Sequence, residues 1–378
     1  MITLGTVNIS NKTRALMNEA LDKGIIGQGK YIQEFEHQLA GFLGVKHVIA
    51  TANGTLADAV ALAAAKYRDH SERDEVIVPA LTFIAQINAV YYNHLKPVFV
   101  DVGYDYQIDT EKIKEKISEK TLAIMPTHLL GRPAKMEKVL SLAKKYNLFV
   151  VEDACEALGS KYQNQFCGTI GDMGCFSFFV SHAITTGEGG AIVTNNDKLA
   201  EISRSLRNHG RKSDKPEEKF IFPYLGFSAK MNALEAIIGL GIAEELSNHI
   251  EKRHQNMIKL NTLLGSPPHQ YIGSGGKNWF LDQDDEYIIP HAFPILVDSK
   301  ETRDELLKLL PEKYRIEARQ IFYSIPTQSE AYKFLGEKEG AYPVAEDIGK
   351  RGLYVPCHQN LNDEDLIKIA NTLKEVLK

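Results

Sequence analysis

Short apolar runs and longer amphipathic stretches alternate along the first two thirds of the chain. "HVIATAN" (47–53) leads into "GTLADAVALAAAKY", "DEVIVP" into "TFIAQINAVYYNH", and "KPVFVDV" into "DTEKIKEKI". The alternation continues through "TLAIMPTH", the helical "KMEKVLSLAKKYN" and "LFVVEDA". Val- and Ile-rich runs separated by helical periods predict a mostly parallel sheet covered on both faces. One long helix is expected over 232–264, followed by the Gly/Pro/Ser-rich "GSPPHQYIGSGGKNWF" and by new strands in "EYIIPHAFPILVD". The closing "NDEDLIKIANTLKEVLK" starts on Asn and Asp and carries its lysines late, which predicts a capped helix. The expected architecture is α/β: a large, mostly parallel-sheet domain over 1–250 with an N-terminal arm, and a small C-terminal α/β domain over 251–378.

Composition narrows the class of partner. The 378 residues are 44% hydrophobic and 25% charged, as in an ordinary globular enzyme. A net charge of −5 gives no electrostatic reason to expect nucleic acid or an anionic membrane. No apolar run reaches the roughly 18 residues of a membrane span, and no secretory leader opens the chain, so a cytoplasmic location is expected. Cys155, Cys167, Cys175 and Cys357 form no C-x-x-C pair, so neither a zinc site nor an iron–sulfur cluster is expected. No metal is called for.

Four signals fall near the C-terminal ends of predicted strands, where open α/β sheets place their ligands. In "ANGT", Gly54 and Thr55 open a helix; their backbone N–H groups either hold a phosphate or simply begin a capped helix. In "VVEDACEALG", Asp153 is a helix cap, an ion-pair partner or a charge facing a cofactor's protonated ring nitrogen. "GDMGCFSFFVSHAITTGEGGAIV" gathers Ser177, His182 and a glycine turn, which suits a phosphate-bearing cofactor beside a proton-transfer group; the alternative is a buried, hydrogen-bonded loop histidine. Phe83, in "ALTFIAQINA", is either a core aromatic or a plate stacked on a flat ring.

In this order and at these distances, the four signals resemble the DegT/DnrJ/StrS family of pyridoxal-phosphate-dependent enzymes that modify nucleotide-linked keto-sugars. The resemblance extends through "IIGQGKYIQEFEHQLAGFLGVKH", "HLLGRPAKMEKVLSLAKKYNLFVVEDACEALGSKY", "GTIGDMGCFSF", "GEGGAIVTN", "RSLRNHGR", "LGFSAKMNALEAIIGL" and "YPVAEDIGKRGLYVPCH". It implies an aspartate-aminotransferase-like fold (fold type I) with pyridoxal 5'-phosphate or pyridoxamine 5'-phosphate as cofactor. By the resemblance, Gly54, Thr55 and Ser177 hold the phosphate and Phe83 stacks on the ring. Asp153 faces the ring nitrogen, and Glu156 lies beside the ring. Ser228 stands where a neighbouring subunit of a homodimer sends a side chain to the phosphate. Arg211 lies in a basic loop suited to a diphosphate, and Arg319 and Tyr323 fall in the passage that closes over the sugar.

The position of the cofactor-binding lysine is occupied by His182. A lysine amine both tethers the cofactor and moves protons; an imidazole with a pKa near 6.5 keeps only the second task. The same exchange marks a branch of the family, the sugar 3-dehydratases of the colitose type. There the histidine takes a proton from the cofactor's methylene carbon, the C3 hydroxyl of a nucleotide-linked 4-keto-6-deoxy sugar departs, and L-glutamate restores the amine. This chain differs from that branch at Phe179 and Ala183, where the branch carries Tyr and a second His. The expectation is a 3-dehydratase. Second stands an aminotransferase with glutamate as donor, its lysine lost by natural variation or by engineering. Third stands a non-catalytic sugar-binding homologue.

Overall fold

The computed structural model describes residues 1–7, 9–265, 280–283 and 285–377. The glycine-rich passage expected to separate the domains lies almost wholly outside the described residues.

Strands β1 (His47–Thr51), β2 (Glu75–Pro79), β3 (Lys96–Val100), β4 (Thr121–Ile124) and β5 (Phe149–Asp153) are followed by a small hairpin, β6 (Lys161–Tyr162) and β7 (Gln165–Phe166). Strands β8 (Met173–Ser177) and β9 (Gly190–Thr194) complete the series. Seven of them form one sheet in the order β1-β9-β8-β5-β4-β2-β3, every strand parallel except β9. The Val/Ile runs read as continuous apolar stretches because helices cover both faces of the sheet. β9 returns antiparallel to β8 and so needs no crossover helix. The loop between them, which carries His182, therefore projects from the C-terminal edge of the sheet.

The helix Gly54–Asp69 packs against the sheet with a surface of small residues, Ala57, Ala59, Ala61 and Ala63 to Ala65 all being buried. Alanine is the best helix former and lets the helix axis lie close to the strands. Asn53 caps it, its side chain accepting from the Leu56 N–H at 2.9 Å. The long helix expected over 232–264 is instead two, Ala233–Ala243 and Leu246–Leu264. Glu244 and Glu245 stand exposed at the break, and Leu246 is buried at the start of the second helix. The second of these helices leads toward a separate antiparallel sheet, made by β11 (Phe293–Leu296), β12 (Arg319–Gln320) and β13 (Gly352–Val355). The short β10 (Glu286–Tyr287) pairs with β6. The C-terminal helix Asp363–Val376 carries the expected cap, a reciprocal pair between Asn362 and Asp365.

Beneath the edge of the sheet, Glu152 is fully buried and accepts from the N–H groups of Gly168 (2.8 Å), Ile170 (2.7 Å) and Gly171 (2.6 Å), with His128 Nε2 at 2.8 Å. This carboxylate ties the loop after β7 to the strand that ends on Asp153. Glu152→Ala is expected to lower stability by about 3–5 kcal/mol, because it strands a buried histidine and three amide donors. Urea unfolding measures this, and a loss below about 1 kcal/mol would show that the loop is held by other contacts.

Candidate active site

At the C-terminal edge of the large sheet lies a cavity of about 310 Å³ bounded by the ends of β5 and β8, the start of the helix Gly54–Asp69 and the segments around His291 and Arg319. Gly54 and Thr55 form one end, where unpaired helix N–H groups favour an anion. Ser177 sits against this turn so closely that a Cβ on Gly54 would lie 2.8 Å from the Ser177 Cβ and 2.9 Å from the Cys155 Sγ. Gly190 is similarly constrained, since a Cβ there would lie 2.5 Å from the carbonyl carbon of Asn53. Backbone amides and a hydroxyl thus converge in a cradle that larger side chains would fill, which fits a phosphate group.

Phe83, at the N-cap of the helix Ile84–Tyr92, is 55% exposed and presents its ring to the cavity beside Phe322, with ring centres 5.3 Å apart. An aromatic face left this open is available for a flat ligand. Deeper in, Asp153 ends β5 and is buried, its Oδ1 accepting from the Cys155 N–H at 3.2 Å. Asp58 is buried beside it: Asp58, Asp153 and Cys155 each place one side-chain atom within 4.8 Å of the others. Asp58 Oδ1 has no hydrogen-bond partner. Burial raises the pKa of both carboxyls, and among the described residues neither has an arginine or lysine to offset it. An orphaned carboxyl oxygen next to a second carboxyl makes this end receptive to a positive charge such as a protonated ring nitrogen. The cavity therefore fits a phosphorylated pyridine cofactor at both ends.

The opposite wall carries two imidazoles. His182 and His291 have ring centres 5.0 Å apart, and the Nδ1 of each is buried without a partner. Burial, with the nearby charge of Arg253, pushes His182 down to about 3, and burial pushes His291 well below the ordinary histidine range. Both rings are therefore neutral near pH 7. Beyond them, Glu156 Oε1 lies 3.8 Å from His291 Nε2, while Glu156 Oε2 accepts from the Leu130 N–H at 2.7 Å. Burial raises Glu156 to about 7, and Asp153 adds to the shift.

A folded pKa raised above the unfolded value gives stability that is full at low pH and is lost as pH rises through the folded pKa. Glu156→Gln is therefore expected to gain on the parent protein by about 2–4 kcal/mol between pH 4 and 8, the window between the unfolded and folded pKa values. Urea unfolding of the cofactor-free proteins at both ends of that window tests this. A constant difference would mean that Glu156 does not titrate there.

The structure brings His182, Gly54, Thr55, Phe83, Asp153, Glu156, Ser177 and Arg319 into this one cavity. Three residues singled out from the sequence lie outside its lining. Ser228 is exposed and bridges to Asn208. Arg211 pairs with Asp214 at 3.3 Å, and Tyr323 is exposed with Arg303 6.0 Å from its ring centre. Sequence reasoning missed Asp58, His291 and Tyr354, all of which line the cavity. An acid inside the alanine run "LADAVALAAA" was a readable signal for the first. The second was concealed in a stretch that reads as strand: "EYIIPHAFPILVD" is two strands with His291 in the break between them.

Known proteins match over the same span. The sequence profile of the DegT/DnrJ/EryC1/StrS aminotransferase family matches residues 7–374. GDP-perosamine synthase of Escherichia coli O157:H7 is 35% identical over 97% of this chain and 96% of its own length. Lipopolysaccharide biosynthesis protein RfbH of Salmonella typhimurium is 34% identical over 83% of this chain and 77% of its own. Among solved structures, PseC of Helicobacter pylori, an aminotransferase of pseudaminic acid biosynthesis, superposes with a TM-score of 0.89 at 26% identity, covering 100% of this chain and 99% of that one. The architecture is fold type I, as the resemblance implied. No helix among the described residues is long and apolar enough to cross a membrane. With a match that runs nearly from end to end and a cavity shaped for the cofactor, this chain belongs to the DegT/DnrJ/EryC1/StrS aminotransferase family of pyridoxal-phosphate-dependent sugar enzymes.

Proposed function

We propose that this protein is a cytoplasmic enzyme that removes the C3 hydroxyl from a nucleotide-linked 4-keto-6-deoxy sugar, using a cofactor held without a covalent bond. The observation that carries this reading is the lining of the cavity, which includes His182 and, among the described residues, no lysine. The names of the relatives favour amino transfer, the reading placed second in the sequence analysis with L-glutamate as donor, and that remains the competing reading.

In this proposal Gly54, Thr55 and Ser177 hold the phosphate, Phe83 covers one face of the ring, and Glu156 lies beside it. Asp153 keeps the ring nitrogen protonated. The bound ring supplies a sink for the negative charge left on carbon when a proton is removed. His182 Nδ1, buried and unpaired on a ring that is neutral at pH 7, takes that proton. The proton passes to the departing hydroxyl, which leaves as water. His291 and then Glu156 stand next to His182 as further acceptors. Hydrolysis would then release the deoxygenated keto-sugar and ammonia, and L-glutamate, leaving as 2-oxoglutarate, would restore the amine form for the next turnover. Ser228, exposed and outside its own chain's cavity, is assigned to the phosphate of the partner in a homodimer. Arg211, Arg319 and Tyr323 are assigned to the nucleotide-sugar diphosphate and the sugar.

The test is incubation with pyridoxal phosphate, glutamate and a GDP- or dTDP-4-keto-6-deoxyhexose, followed by mass analysis of the sugar. Loss of the 3-hydroxyl supports dehydration. A 4-amino product with that hydroxyl intact assigns the protein to the competing reading, and no reaction with an unchanged cofactor spectrum indicates a non-catalytic homologue.

A further inference from the structure

Arg253, on the helix Leu246–Leu264, is 1% exposed, and among the described residues no carboxylate pairs with it. A buried cation without a counter-ion is held only where dipoles replace its hydration. Here Nε donates to Gln359 Oε1 at 2.7 Å. Nη1 donates to the carbonyls of Pro290 (3.0 Å) and His291 (3.3 Å), and Nη2 to those of Ser181 (3.3 Å) and His182 (3.1 Å). Each arm of the guanidinium thus grips the backbone of one histidine. Only arginine carries a rigid planar fork that can donate in both directions at once.

We propose that Arg253 is the positioning residue of the site: its single guanidinium ties the backbone of His182 to that of His291 and so fixes the two imidazoles beside each other on one wall of the cavity. This rests on the reading of His182 as the proton-moving group. The two segments come from different parts of the chain, the loop between β8 and β9 and the run before β11, and Arg253 bonds to both. Its charge has a second effect. Burial pushes Arg253 down to about 10, so it remains charged through the neutral range, and a fixed positive charge opposes a second one on either ring. The groups facing His182 are Arg253 and His291; those facing His291 are His182, Arg253, Arg319, Glu156 and the phenol of Tyr354. Glu156 is the only carboxyl among them, at 3.8 Å from His291.

Two variants separate position from charge. Arg253→Lys keeps the charge and loses the fork; Arg253→Gln loses the charge. The first readout is the pH titration of the histidine ring C–H signals by NMR in the cofactor-free protein, with His182→Asn and His291→Asn spectra giving the assignments. The second is kcat against KM for the sugar, whichever product forms. In the parent protein neither ring should titrate between about pH 5 and 8. In Arg253→Gln the titration of both should move to higher pH than in the parent, with burial still holding them below the ordinary histidine range. In Arg253→Lys both should stay neutral while kcat falls by at least about tenfold with KM little changed, as expected of a misplaced base.

Rings whose titration does not move in Arg253→Gln, together with a kcat within about twofold of the parent in Arg253→Lys, would reduce Arg253 to a structural residue. If Arg253→Gln does not fold, the kcat of Arg253→Lys decides alone. The NMR experiment needs neither cofactor nor sugar. An amino-sugar product would therefore overturn the dehydration reading and leave the assignment of Arg253 standing.

Discussion

His182→Asn is expected to lower turnover by about 10²–10⁴-fold while leaving the fold and cofactor binding intact. Asparagine is close to imidazole in size and polarity but cannot accept and return a proton at neutral pH. The residue sits in a loop at the cavity edge, and its backbone is held by Arg253 through the carbonyl, which the substitution retains. Loss of the side chain should therefore affect the chemistry rather than the architecture. Unfolding midpoints within about 0.5 kcal/mol of the parent, with kcat reduced and KM little changed, are the expected pattern. Turnover within tenfold of the parent would transfer the proton-moving role to another group, with His291 the first to examine.

Asp153→Asn should have the second largest effect, about 10²–10³-fold on turnover, because a neutral amide cannot keep the ring nitrogen protonated and charge developing on carbon is then no longer drawn into the ring. Its effect on the cofactor-free protein has the opposite sign. Burial raises the pKa of Asp153, so the folded state holds its proton more tightly than the unfolded state does, and stability falls as pH rises through the folded value. At neutral pH the parent bears the strain of two neighbouring buried carboxyls, and Asn relieves it. Cofactor-free Asp153→Asn should consequently be as stable as the parent or more so at pH 8, while the loaded enzyme loses activity. Unimpaired turnover would mean that another carboxyl, with Asp58 nearest, faces the ring nitrogen.

The large sheet was legible because strands buried on both faces must be nearly continuous runs of Val and Ile, and those runs announce themselves between amphipathic helices. The break between the helices at Glu244 and Glu245 was not, because the preceding helix "ALEAIIGLGIA" is apolar on nearly every side and offers no phase to follow. The phosphate cradle could be read from "ANGT" and Ser177, since glycine and hydroxyl positions at strand ends carry their own physical reason. Asp58 and His291 escaped because each lies in a segment whose pattern is that of a core element. Arg253 escaped for a different reason: in "SNHIEKRHQNM" it is one of several basic residues, and only the fold reveals that its side chain turns inward to four carbonyls. For Ser228, the resemblance places its contact on a neighbouring subunit, and distances between chains leave no periodicity in a sequence.

His182 is proposed to move protons at the position where, by the resemblance, the family carries a lysine that also tethers the cofactor. Borohydride reduction of the protein loaded with pyridoxal phosphate, followed by intact mass analysis, tests it most directly, with His182→Lys as the positive control. The parent chain should show no change in mass, and the Lys variant should gain one phosphopyridoxyl group. A stable adduct on a lysine of the parent chain, with Lys230 the first to inspect, would contradict the claim.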